Sequence, residues 1–270
     1  MKSWIILPDL QVPYHDQKSL NAVEQFMGKY KWDGYLQIGD FLDLDCISSF
    51  NKENLRAIAG KTIQKDYDVA NAILDRHQKI VRSKNPDAKF VLLEGNHEQR
   101  MERYIDANPQ MEGMIEGPFG LKLRQRGFKW VPSWSAGDTY HIGKAHFSHG
   151  KYTTKYHAAK MVDTFGDNIF YGHTHDVMCY PKVLRGANKT LVGQSLGCLC
   201  EYNQQYMKGA PSNWQQAFAI FHFDDDGFFT YNVVRIFDHK FIGPDRVVYD
   251  GSGYKPKAIR NAVFAAQKHG

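Results

Sequence analysis

Five short apolar runs, each followed closely by an acid, amide or histidine, limit what this chain can fold into more than any other feature. Trp4-Ile5-Ile6-Leu7 leads into Asp9 and Gln11, and Tyr35-Leu36-Gln37-Ile38 into Gly39-Asp40, with Asp43 close behind. Phe90-Val91-Leu92-Leu93 leads into Gly95-Asn96-His97-Glu98. Ala145-His146-Phe147 leads into Ser148-His149-Gly150, and Asn168-Ile169-Phe170-Tyr171 into Gly172-His173-Thr174-His175. Apolar runs this short, bounded by glycine and polar residues, read as buried strands. Each polar cluster then sits at the C-terminal end of a strand, the edge where open α/β sheets bind ligands.

Helical spacing fills the gaps. Leu20, Val23, Phe26, Met27 and Tyr30 make one apolar face, with Ser19 as its expected N-cap, and Ala70, Ile73, Leu74, His77, Ile80 and Val81 make a longer one. Asn85-Pro86-Asp87 reads as the turn after it. The order β-α-β-loop-α-β predicts parallel strands covered by helices. Residues 98–128 read as helical and irregular, broken at Asn108-Pro109 and Gly117-Pro118. One more helix is expected near Tyr156–Phe165, and a hairpin of Phe218–Phe223 and Phe228–Ile236 about the turn Asp224-Asp225-Asp226-Gly227. The expected architecture is an α/β two-sheet sandwich with flanking helices. Residues 1–250 would form one domain, and residues 251–270, after Gly251-Ser252-Gly253, a basic tail carrying Lys255, Lys257, Arg260 and Lys268.

A chain of 270 residues with 43% hydrophobic and 23% charged residues has the make-up of a soluble globular protein, which excludes the disordered and fibrous classes. The first apolar run is too short for a signal peptide and no stretch approaches a membrane span, so a cytoplasmic protein without a membrane partner is expected. Cys46, Cys179, Cys198 and Cys200 lack the spaced pairs of a zinc site and read as reduced thiols. Cys198 and Cys200 would share a strand face, with no histidine nearby in sequence to give them a role.

Together and in this order, Asp9-Leu10-Gln11, Gly39-Asp40-Phe41-Leu42-Asp43, Gly95-Asn96-His97-Glu98, Ser148-His149-Gly150 and Gly172-His173-Thr174-His175 resemble the five motifs of the calcineurin-like metallophosphoesterases. The resemblance spans about Asp9 to Gly197 and implies the metallophosphoesterase type of sandwich. It also implies two divalent ions bridged by Asp40. Asp9, Gln11, Asp40 and His175 would hold the first, and Asp40, Asn96, His149 and His173 the second. His97 would be the acid near the leaving group, with Asp43 orienting and charge-stabilising it. The implied activity is hydrolysis of a phosphate ester by in-line attack of a metal-bridging hydroxide.

The residue chemistry agrees. Asp9 and Asp40 bring two negative charges against the four positive charges of two divalent ions, which leaves an excess suited to phosphate and hydroxide. Paired ions about 3.5–4 Å apart can clamp attacking and leaving oxygens and acidify a bound water. Imidazoles among the ligands favour manganese, iron, zinc or nickel over calcium or magnesium alone, and manganese is the leading expectation. The family usually has histidine at the position of Gln11, a residue that ligates through a harder and weaker amide oxygen. Manganese-dependent ADP-ribose pyrophosphatases of the superfamily look similar here, so a weaker, manganese-favouring first site is expected. His15 lies close by and could substitute as a ligand, but it reads better as a loop histidine, since the spacing already places Gln11.

Arg100, Arg103 and Lys151 are candidate substrate contacts, although salt bridges of the two arginines with Glu98 or Glu102 fit the spacing equally. Tyr202, Tyr206 and Trp214 could stack on bases or pack on the sheet. The net charge of +5, the arginines and the tail favour a nucleotide or nucleic acid, with nuclease, phosphodiesterase and phosphatase all open. Leu44 stands where the protein serine/threonine phosphatases usually have arginine, which argues against that branch. The alternative class is a non-catalytic binding module on the same fold, favoured by Gln11 alone. A purely nucleic-acid-binding protein finds no recognised motif.

Overall fold

A computed structural model describes residues 1–51, 53, 55–187, 189–202, 204, 207 and 212–254. The first part of the chain runs β1 (Lys2–Leu7), α1 (Gln17–Met27), β2 (Gly34–Gln37), α2 (Ile63–Arg82), β3 (Lys89–Leu93), α3 (Gln99–Ala107), α4 (Gly117–Gly120), α5 (Leu123–Arg126) and β4 (Phe128–Val131). The second part runs β5 (Tyr140–Ile142), β6 (Ala145–Ser148), α6 (His157–Phe165), β7 (Ile169–Tyr171), β8 (Cys179–Leu184), β9 (Lys189–Ser195), β10 (Ala217–Phe223), β11 (Phe229–Arg235), β12 (Lys240–Ile242) and β13 (Val248–Asp250).

Two main sheets result, one ordered β11-β10-β1-β2-β3-β4 and the other β5-β6-β7-β9-β8. In the first, β1 to β4 are parallel and β10 and β11 antiparallel. In the second, β6, β7 and β9 are parallel, with antiparallel edges β5 and β8. Strand alternation sorts the side chains between layers. Trp4, Ile6, Leu36, Val91 and Leu93 face inward, where Phe147 and Phe170 of the second sheet meet Phe221 at ring distances of 5.0 and 4.7 Å. Ile5, Leu7, Tyr35, Phe90 and Leu92 face the other way, onto Val23 and Phe26 of α1 and Ile73 and Leu74 of α2. Ile169 and Tyr171 turn outward onto Ala158, Met161 and Val162 of α6. Burial on both faces explains why these strands read as unbroken apolar runs. The molecule is therefore an α/β sandwich of two sheets with helices on its outer faces.

All five expected strands form. The hairpin forms as β10 and β11, its turn held by Asp224 Oδ1, which accepts from Asp226 N and Phe228 N at 3.0 and 2.8 Å. One cap differs. Asp16, rather than Ser19, starts α1, its Oδ1 accepting from Lys18 N and Ser19 N at 3.0 and 2.9 Å. Ser19 lies inside the helix and donates to Gln216 Oε1 at 2.7 Å. The polar first turn Gln17-Lys18 conceals the true start from a pattern built on apolar spacing. The loop after β2 contains 3₁₀ turns at Asp45–Ile47, Ser49–Asn51 and Leu55–Ile58. The tail residues Lys255, Lys257, Arg260 and Lys268, His269 and the loop residue Tyr206 lie outside the described residues. Among those described, no helix is long and apolar enough to cross a membrane.

Candidate metal centre

The loops leaving β1, β2, β3, β6 and β7 converge where the C-terminal edges of the two sheets meet. Their backbones are unusual: Asp9, Gln11, Asp40, His173 and His175 all have positive φ, between 38° and 69°. Non-glycine residues avoid this region, and such outliers concentrate where a site over-determines the backbone. The glycines beside them answer a different constraint, close approach. A Cβ on Gly95 would come within 2.1 Å of Asp40 Oδ1, and one on Gly172 within 2.1 Å of Asp9 Oδ2.

Two groups of ligand atoms form, each with its atoms within 4.8 Å of one another: Asp9, Asp40 and His175, and Asp40, His149 and His173. Asp40 belongs to both. In the first group His175 Nε2 stands 3.4 Å from Asp9 Oδ1 and 3.4 Å from Gln11 Nε2. In the second, His149 Nε2 lies 3.3 Å from Asp40 Oδ1 and 3.1 Å from Asn96 Oδ1. The other nitrogen of that ring, Nδ1, lies 3.1 Å from the Ile38 carbonyl; donation there leaves Nε2 as a donor atom for a metal, the usual support of a metal-binding histidine. All seven expected ligands thus gather at one place.

The charges fit a cation. Burial alone would raise Asp40, yet His149 and His97 hold its carboxyl well below the usual range. Burial lowers His149, but Asp40 outweighs it and carries the imidazole to about 9. Burial likewise opposes His175, which its hydrogen bond to Asp9 raises to about 9. The two imidazoles therefore take up protons because the carboxylates demand positive charge, a demand that divalent ions meet equally well. Burial and the neighbouring His149 depress His173 to about 3, which keeps its ring neutral and able to ligate. The oxygen and nitrogen donors, the shared carboxylate and the oriented imidazole are of the kind that hold a divalent ion.

His97 lies beside this centre, with Nδ1 3.3 Å from Asp43 Oδ2 and Nε2 3.7 Å from Asp40 Oδ2. Arg100 locks the arrangement: Nη1 donates to the Asp43 carbonyl at 2.6 Å, and Nη2 stands 3.1 Å from His97 Nε2. Arg100, Arg103 and Lys151 line a cleft of about 780 Å³ together with Asn96, His173, Trp134 and Phe50. Arg103 donates to Gln99 Oε1 at 2.8 Å. Glu98 is unavailable to the arginines because it is buried and turned inward, where it accepts from the backbone N–H of Asp40, Leu42 and Gly95 at 3.0, 2.8 and 2.8 Å.

Several contributors escape the sequence pattern. Glu98 ties the second and third motifs together. Trp134 packs 4.9 Å from the His173 ring, and Trp214 packs 4.2 Å from the His175 ring. Gln204 Nε2 donates to Gln11 Oε1. Behind β7, Asp176 accepts from Thr174 Oγ1 at 2.7 Å and lies 3.0 Å from His157 Nε2, so His157 is a satisfied core histidine. His15 stands 3.0 Å from Gln17 Oε1, as a loop histidine would. The sequence left Cys198 and Cys200 without a partner, yet they lie with His175 in a third group of ligand atoms within 4.8 Å. Their histidine comes from the loop after β7, a tertiary neighbour that sequence spacing cannot show.

No family model matches the chain. It is 26% identical over 237 residues to the Gene 54 protein of Mycobacterium phage L5, covering 83% of this chain and 89% of that one. Vps29 from Chaetomium thermophilum aligns with a TM-score of 0.46 at 11% identity, covering 93% of this chain and 100% of that one. The nuclease MPE of Pseudomonas putida aligns with a TM-score of 0.37 at 13% identity, covering 92% of this chain and 86% of that one.

Proposed function

We propose that the chain is a dinuclear-metal phosphoesterase of the calcineurin-like type, acting on a nucleotide or nucleic acid. The observation that carries this reading is the Asp40 carboxylate, shared between two ligand groups at the edge of a cationic cleft. Asp9, Gln11, Asp40 and His175 would hold one ion, and Asp40, Asn96, His149 and His173 the other, with manganese favoured by the mixed oxygen and imidazole donors. When bound, such ions polarise phosphoryl oxygens and acidify water.

The chain's own groups supply the rest. With substrate bound and the Arg100 guanidinium turned from Nε2 onto the phosphate, the His97 imidazole protonates the leaving oxygen from Nε2, while the Asp43 carboxylate 3.3 Å from Nδ1 orients the ring. Arg103 and Lys151 bind anionic oxygens flanking the scissile ester. The half-buried Trp134 and the exposed Phe50 offer ring faces to a base along the cleft, which supports a nucleic-acid substrate.

Hydrolysis of bis-p-nitrophenyl phosphate and p-nitrophenyl phosphate with added manganese tests the proposal. The wild type turns over and Asp40→Ala does not, while His97→Ala loses about 10²–10⁴-fold in rate on oligonucleotides, whose alkoxide leaving group needs a proton, and far less on the p-nitrophenyl esters, whose phenolate leaves without one. Preference for the diester identifies a nuclease or phosphodiesterase. Absence of turnover by folded protein with every divalent ion, and with oligonucleotides, would shift the reading to a binding module.

A further inference from the structure

We propose that Cys198, Cys200 and the Nδ1 side of the His175 ring form a further site for a thiophilic divalent ion of the zinc class, the ring becoming a bridging imidazolate, with its N–H and the thiol protons released to solvent, when an ion also occupies the Nε2 side. The two ring nitrogens face different chemistry. Nε2 looks toward Asp9 Oδ1 and Gln11 Nε2, both at 3.4 Å, whereas Nδ1 stands 3.8 Å from Cys200 Sγ. Zinc bound tetrahedrally, with bonds of about 2.3 Å to sulfur and 2.0 Å to nitrogen, places those donors about 3.6 Å apart, close to the separation found.

The three side chains are buried, at 4%, 0% and 0% exposure, and their ligand atoms already lie within 4.8 Å of one another. The cysteine-bearing segment is held in register with the first motif. Leu199 N donates to the Asp9 carbonyl at 3.1 Å, and Cys200 bridges to His15. The donors therefore need little reorganisation to close on an ion, and one tetrahedral position is left for a small ligand such as water. Two sulfurs and one imidazole select soft ions, while the carboxylates and amides across the ring select harder ones. One histidine thus divides a hard side from a soft side.

The test uses full-length Cys46→Ser/Cys179→Ser protein, in which Cys198 and Cys200 are the remaining thiols. It is titrated with cadmium in the presence of excess manganese. The readout is the ultraviolet thiolate-to-cadmium charge-transfer band, which needs no turnover and is independent of whether the chain hydrolyses phosphate esters. One cadmium per chain with a saturable band is expected, and the further change Cys200→Ser should weaken binding at least tenfold. No band in the Cys46→Ser/Cys179→Ser protein would overturn the site even if the Cys200→Ser variant failed to fold. A band undiminished by Cys200→Ser in folded protein would overturn it as well.

Discussion

Gln11 shows how much a single residue decides here. Its Oε1 accepts from Gln204 Nε2 and its Nε2 faces His175, yet Gln204 Oε1 is a buried acceptor without a partner among the described residues. A half-turn of both amides would present Gln11 Oε1 to the first ion while its Nε2 donates to Gln204 Oε1, so the pair can supply either face. Because an amide oxygen is the weaker donor, Gln11→His should raise manganese affinity at the first site about tenfold and shift preference toward zinc. Titration of both proteins checks this, and identical affinities and preferences would remove the idea of a weakened first site. At this scale the sequence was highly legible: Asp9, Gln11, Asp40, Asn96, His149, His173 and His175 stand on loops that short strands deliver to one edge. Gln204, Trp214, Cys198 and Cys200 were not, because only tertiary packing brings these residues, which follow β9, beside Gln11 and His175.

At the scale of elements, α3 combines two tasks. Its first turn carries Arg100, which grips Asp43 and His97, while Arg103 one turn later faces the cleft. Arg103→Ala and Lys151→Ala should therefore raise KM about tenfold for an oligonucleotide with little change in kcat, whereas Arg100→Ala should also lower kcat. Steady-state kinetics on the three variants separate the roles; equal effects on kcat would refute the division. Helix α2 carries an electrostatic cost in its first turn. Burial, with Asp45 and Asp43 nearby, pushes Asp66 up to about 7. Its value in the unfolded chain is about 3.9, so the fold favours the protonated acid. That contribution is complete below about pH 4 and is lost as pH rises through about 7. Asp66→Asn should match the wild type in melting temperature near about pH 4 and exceed it by about 2–4 °C near about pH 8.5. A variant no more stable than the wild type at the higher pH would contradict this account. The apolar faces of α1 and α2 were readable from their spacing, whereas the 3₁₀ turns at 45–58 that wall the cleft have no periodic signature.

Over the whole molecule, neither sheet holds the site alone. The first sheet delivers Asp9, Gln11, Asp40 and Asn96, and the second delivers His149, His173 and His175. The inward aromatic layer of Phe147, Phe170 and Phe221 sets their separation. The layered architecture could be inferred from strand runs alternating with helical spacing, but the pairing of β1 with β10, which brings distant chain back beside the first strand, could not. Ions bound across the seam should also stabilise the fold, by about 2.7 kcal/mol at one hundred times the dissociation constant. The most direct test of a dinuclear centre is to count manganese bound per chain at saturation, by equilibrium dialysis of the wild type and Asp40→Ala. Two ions per wild-type chain, with loss of at least one and weaker binding of any that remains in Asp40→Ala, is the expected result. A wild type that binds a single ion, or an Asp40→Ala variant that still binds two with unchanged affinity, would contradict the shared-carboxylate centre.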